Sequence, residues 1–129
     1  MPFSVLLSRA VWPVALLLAA CGADPRDPAP PFKVEARGDA AQGLRLLTQY
    51  QCGSCHAIPG VSAARGVNGP SLQAFGKRSY IAGRVPNFPE ALAQWITLPA
   101  SLVPDTTMPS MGVSPEEARH MAAYLGTLE

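Results

Sequence analysis

Two thiols three positions apart, with an imidazole directly after them, form the stretch Cys52-Gly53-Ser54-Cys55-His56, and these are the side chains of the chain best placed to do chemistry. At that spacing both sulfurs leave one helical turn and can engage a single partner. A Cys-x-x-Cys alone would suit zinc, a disulfide or a redox-active dithiol. The histidine in the next position matches covalent haem attachment, in which each thiol adds to one vinyl group and the imidazole turns inward to the iron.

Iron held there by one histidine takes a sixth ligand from elsewhere, and the identity of that ligand decides between electron transfer and small-molecule chemistry. The donors to weigh are His120, Met108, Met111 and Met121, with Lys33 and Lys77 as outsiders. His120 lies about 100° off the apolar stripe of its helix and is predicted to face solvent. Met121 lies on that stripe and is predicted to fill core. Met108 and Met111 belong to an irregular segment that can reach iron without breaking a helix. Pro109 stiffens the approach of Met108, which is the favoured ligand, with Met111 as the alternative. A thioether favours the ferrous state and so raises the reduction potential. His56 also needs an acceptor for its second ring nitrogen, and the carbonyl of Pro70 in Gly69-Pro70 is suited to that, a plain turn being the other reading.

The rest of the chain must position these groups. Its 129 residues allow one domain, and a net charge of +1 gives no argument for nucleic acid, which is set aside. Residues 1–20 carry Arg9, then an apolar run from Ala10 to Leu18, then small residues, the pattern of a secretory signal peptide. Leu18-Ala19-Ala20-Cys21 resembles a bacterial lipobox, so the third cysteine, Cys21, is expected to carry lipid and anchor the protein to the membrane. The cysteine arithmetic then closes, with one for lipid and two for haem. Residues 21–36 hold Pro25, Pro28, Pro30 and Pro31 among charged residues and read as a tether. At about 3 Å per residue it would let the domain stand on the order of 40 Å from the lipid.

The folded domain is expected over residues 37–129 and to be all-α, since no strand-like alternation is present. A first helix is predicted over residues 39–50, capped by Asp39, with Ala40, Gly43, Leu44 and Leu47 on its apolar face. Gly43 in mid-helix costs about 1 kcal/mol relative to alanine, which marks a close helix crossing. A second helix is predicted over residues 89–98, opened by Pro89, with Leu92, Trp95 and Ile96 inward. Ser114-Pro115-Glu116-Glu117 is a capping box that starts a last helix to about Leu128, with Ala118, Met121, Tyr124, Leu125 and Leu128 inward. Between Asp39 and Glu90 there is no acidic residue, so Lys77, Arg78 and Arg84 make that stretch basic.

Gly43, Cys52-x-x-Cys55-His56, Gly69-Pro70-x-Leu72, Trp95-Ile96, Met108-Pro109 and Tyr124-Leu125 together resemble a class I cytochrome c, in order and spacing, over residues 38–129. The run from Val85 to Ile96 most resembles the cytochrome c domain fused to subunit II of some bacterial haem-copper oxidases. The resemblance implies one covalent haem c wrapped by helices, the first and last crossing, with His56 proximal, Met108 distal and Pro70 orienting His56. It also implies propionate partners at Arg78, Tyr80 and Trp95. Where the family often has an aromatic residue one turn after the first-helix glycine, this chain has Leu47.

The function these readings favour is a lipid-anchored electron carrier in the periplasm, or on the outer face of the cytoplasmic membrane. It would pass single electrons between a quinol-oxidising complex and a terminal oxidase or reductase, with no catalysis of its own. The alternatives are a five-coordinate haem enzyme or sensor and a fixed cytochrome subunit of a larger respiratory complex.

Overall fold

The computed structural model describes residues 38–129; the expected signal peptide, Cys21 and the tether lie outside the described residues. Three helices carry the architecture: α1 (Ala40–Gln49), α2 (Pro89–Thr97) and α3 (Pro115–Gly126). The fold is all-α, with α3 in the middle, packed on α1 along one side and on α2 along another. This central place suits its composition. Ala118, Met121, Ala122, Ala123 and Leu125 are all buried, and the alanines let both neighbours approach closely.

Local chemistry explains where the helices begin. The Asp39 carboxylate accepts the Gln42 amide at 3.0 Å and caps α1. At α3 the Ser114 hydroxyl accepts the Glu117 amide while the Glu117 carboxylate accepts the Ser114 amide, with Pro115 in the first turn.

The α1–α3 crossing centres on Gly43. A Cβ built there would lie 2.0 Å from the His120 carbonyl oxygen and 2.9 Å from the Tyr124 Cβ, so any side chain would push the helices apart. Two expectations need correction at this crossing. Leu46 is the buried partner of Leu47, while Leu44 is only half-buried, because α3 covers the face that carries positions 43, 46 and 47. His120, expected to face solvent, is half-buried; its Nδ1 accepts the Asp39 backbone amide at 2.8 Å, which ties α3 to the start of α1.

The chain also makes a short antiparallel hairpin that no sequence alternation signals: β1 (Tyr80–Ile81) pairs with β2 (Val85–Pro86), in the register Tyr80 with Pro86 and Ile81 with Val85. Two residues per strand leave no room for alternation to register. Ala82 and Gly83 turn the chain with positive φ, and Ile81 plugs the hairpin into the core. Asn87 secures its base by donating from Nδ2 to the Phe75 and Arg78 carbonyls, at 3.2 and 2.9 Å. From Pro99 to Val113 the chain makes one 3-10 turn (Pro99–Ser101) and then runs without regular structure, pinned by buried Val103 and Val113.

Candidate functional site

The attachment motif starts where α1 is made to stop. Gln51 adopts a left-handed conformation (φ 55°), and its side-chain amide donates to the Thr48 carbonyl at 3.0 Å, satisfying an acceptor at the helix end. The chain then turns as a 3-10 helix over Cys52–Ser54, with the Cys55 and His56 amides both donating to the Cys52 carbonyl, at 3.3 and 3.1 Å. This tight turn puts both thiols and the imidazole on one short stretch of backbone. Both cysteines are free and half-buried, and Cys52 packs against the core.

Residues 57–69 fold back over this turn, and three glycines make that possible. A Cβ on Gly53 would sit 2.6 Å from the Ala64 Cα, and one on Gly66 would sit 2.3 Å from the Cys55 carbonyl carbon. Backbone bonds then stitch the layers together, Gly66 to Gly53 at 3.0 Å and Gly69 to Cys55 at 2.8 Å. At Gly69 the neighbour is the imidazole itself, with a Cβ predicted 2.4 to 2.9 Å from three ring atoms of His56. Gly69 is therefore a seat for the ring.

Beside that seat, His56 Nδ1 lies 2.7 Å from the Pro70 carbonyl oxygen. A carbonyl only accepts, so Nδ1 carries the proton and Nε2 keeps its lone pair for a metal. Arg78 supports the same strand of chain. Its guanidinium donates to the Ser71 and Gln73 carbonyls and lies over the Phe75 ring, 5.4 Å from the centroid. Arg78 thus braces the Ser71 and Gln73 carbonyls just after Pro70, a structural task that the sequence did not suggest. Phe75 in turn belongs to a 3-10 turn (Phe75–Lys77) held to the end of the chain by the Gly76 amide on the Leu128 carbonyl.

The other residues expected to surround a porphyrin sit on separate elements of the fold. Tyr80 stands on the hairpin with 56% of its surface exposed, whereas Trp95 is buried on α2. No hydrogen bond joins Arg78, Tyr80 and Trp95 among the described residues, and the Trp95 indole finds no acceptor there. Met108 is half-buried against the core; Met111 is 47% exposed. Their segment is held by side chains, the Met108 amide donating to Thr106 Oγ1 at 3.2 Å and Ser110 Oγ to the Thr97 carbonyl at 2.8 Å.

The competing readings of the cysteine pair fare poorly. Among the described residues no three His, Cys, Asp or Glu side chains converge as zinc ligands would. Burial pushes the Cys52 thiol up, the opposite of what a reactive dithiol needs. A cleft between α2 and α3, bordered by Gln94, Leu98 and Arg119, contains none of these residues. The arrangement that remains is a histidine oriented for metal beside two thiols in one turn. This donor set, with its glycine seat, fits a covalently held haem.

The family model for cytochrome c matches residues 40–129. The chain belongs to the cytochrome c family. Members of that family are electron-transfer haem proteins that typically bind haem covalently through cysteines. The chain is also 36% identical over 91 residues to cytochrome c oxidase subunit 2 of Alkalihalophilus pseudofirmus. The match takes in 70% of this chain and 26% of that protein, so the chain spans about a quarter of its relative's length. It is a class I, monohaem type of cytochrome c related to the oxidase fusion. Among the described residues, no helix of this cytochrome c is long and apolar enough to cross a membrane.

Proposed function

We propose that this cytochrome c is a membrane-tethered electron carrier of the periplasm, with haem c on Cys52 and Cys55 and axial ligands His56 and Met108. The observation that carries the reading is the His56 imidazole, seated on Gly69 and held through Nδ1 by the Pro70 carbonyl, because it leaves Nε2 as a fixed donor. Haem, when bound, supplies a one-electron ferric/ferrous couple. The chain's own part is to hold both ligands in place through that change, so that little reorganises as the electron moves. Pro70 and Arg78 hold the proximal side. On the other side, half-burial of Met108 favours it over the more exposed Met111.

Lipid on Cys21 would keep the domain at the membrane, on a tether spanning residues 21–36, near a quinol-oxidising complex and a terminal oxidase or reductase. The test is the iron–thioether charge-transfer band of the oxidised holoprotein. It is expected in the wild type and in Met111→Ala, and lost in Met108→Ala; a band that survives Met108→Ala removes Met108 from the site.

A second reading, a fixed subunit of a respiratory complex, draws support from the similarity to an oxidase subunit. Extraction in mild detergent separates the two. A shuttle comes away alone, and a subunit brings its neighbours.

A further inference from the structure

One carboxylate oxygen joins the two segments that the proposed ligands occupy. Glu117 Oε2 accepts the Tyr50 hydroxyl at 2.9 Å, the Ser114 hydroxyl at 2.7 Å and the Ser114 amide at 3.1 Å. Tyr50 closes α1 two residues before Cys52, and Ser114 directly follows Val113, the buried end of the segment that carries Met108. The Tyr50 ring packs against the core, so its hydroxyl has a fixed origin.

The methionine segment depends on such ties. No backbone-to-backbone hydrogen bond reaches residues 107–113 among the described residues, so the position of its ends governs where its side chains stand. We propose that Tyr50 and Glu117 form a positioning node that sets the separation between the attachment turn and the methionine segment, and thereby how firmly Met108 holds the iron. This rests on the reading of Met108 as ligand.

The charge state of Glu117 agrees with the geometry. The Ser114 hydroxyl, the Ser114 amide and the Tyr50 hydroxyl, in that order, hold its carboxyl below the usual glutamate range, with a small contribution from His120 along α3. A lowered carboxylate contributes stability that is present above its ordinary value and is lost as pH falls through the lowered one. Removing the Tyr50 hydroxyl therefore moves that loss to higher pH.

The test is titration of the ferric holoprotein with imidazole, which competes with the thioether for iron. Tyr50→Phe keeps the ring and is expected to tighten imidazole binding about tenfold, the equivalent of one hydrogen bond to a charged group. Glu117→Gln keeps an acceptor and is expected to fall between Tyr50→Phe and the wild type. Tyr124→Phe serves as the control. It removes a 2.7 Å bond from α3 to the Pro59 carbonyl but touches neither end of the methionine segment, and its imidazole affinity is expected to match the wild type. Unchanged affinity in Tyr50→Phe, or equal tightening in Tyr124→Phe, overturns the node. If the wild type lacks the charge-transfer band, the Met108 reading falls and the node with it. A wild-type band with unchanged imidazole affinity in Tyr50→Phe overturns the node alone.

Discussion

The two segments that the proposed haem site would draw on are built in opposite ways. Residues 52–70 are stitched by backbone hydrogen bonds, packed through glycines with no room for a side chain, and closed on His56 by the Pro70 carbonyl. Residues 102–113 have two buried valines at their ends and, between them, mostly side-chain ties: Thr106 to Met108, Ser110 to Thr97 and Asp105 to Arg84. The first side is therefore complete from the polypeptide alone. The second relies on contacts worth about 1 kcal/mol or less each, so a ligand bond from Met108 would add much of its order.

The comparison is most easily broken at Gly69. Alanine there drives a methyl group into the imidazole, with no flexible neighbour to yield, since the ring is held by Pro70 and the backbone by Cys55. Gly69→Ala is expected to cost about 3 kcal/mol in denaturant unfolding, the upper part of the range for overpacking, and to lower the yield of haem-loaded protein. A loss below about 1 kcal/mol would mean that the proximal side is softer than its packing indicates.

How much of this was legible in the sequence depends on the physics behind each residue. The helix caps at Asp39 and Ser114 could be read because a cap is a local contract between residues three apart. Gly43 could be read because a glycine inside a good helix pattern is unfavourable without a reason. Gly53 and Gly66 lie in a stretch already rich in turn residues, so nothing there betrays that the need is for close approach and not for an unusual φ. The bracing by Arg78 was hidden for another reason. Its partners are backbone carbonyls, which every residue possesses, so no side-chain pattern announces them. The partial burial of His120 cannot be read from its angle on the helix alone, because the incoming chain at Asp39 brings a polar amide to that position.

The distal side gives a smaller effect. Ser110→Ala removes the hydroxyl that donates to the Thr97 carbonyl, and the neighbouring backbone has no bond of its own to take up the slack. An expected loss of about 1 kcal/mol in unfolding is ordinary for one hydrogen bond. What sharpens the comparison is the local readout: amide exchange at Ser110 and Met111 should accelerate while exchange at Gly66 and Gly69 stays at the wild-type rate. Equal acceleration on both sides would show that they open together.

The smallest effect belongs to the bridge between the hairpin and the distal segment. Arg84 meets Asp105 through two contacts, each 3.2 Å, but the side chains are 64% and 68% exposed. Paired geometry strengthens the bridge; exposure screens it and leaves two long side chains to be ordered for little return. Asp105→Asn is therefore expected to cost about 0.5 kcal/mol or less at low salt, and the difference should vanish in high salt. A larger loss that persists in salt would mean that Asp105 orders the distal segment by a route other than charge. That route is the turn in which the Thr106 amide bonds the Val103 carbonyl at 3.1 Å, and the exchange rate of that amide in Asp105→Asn decides the matter.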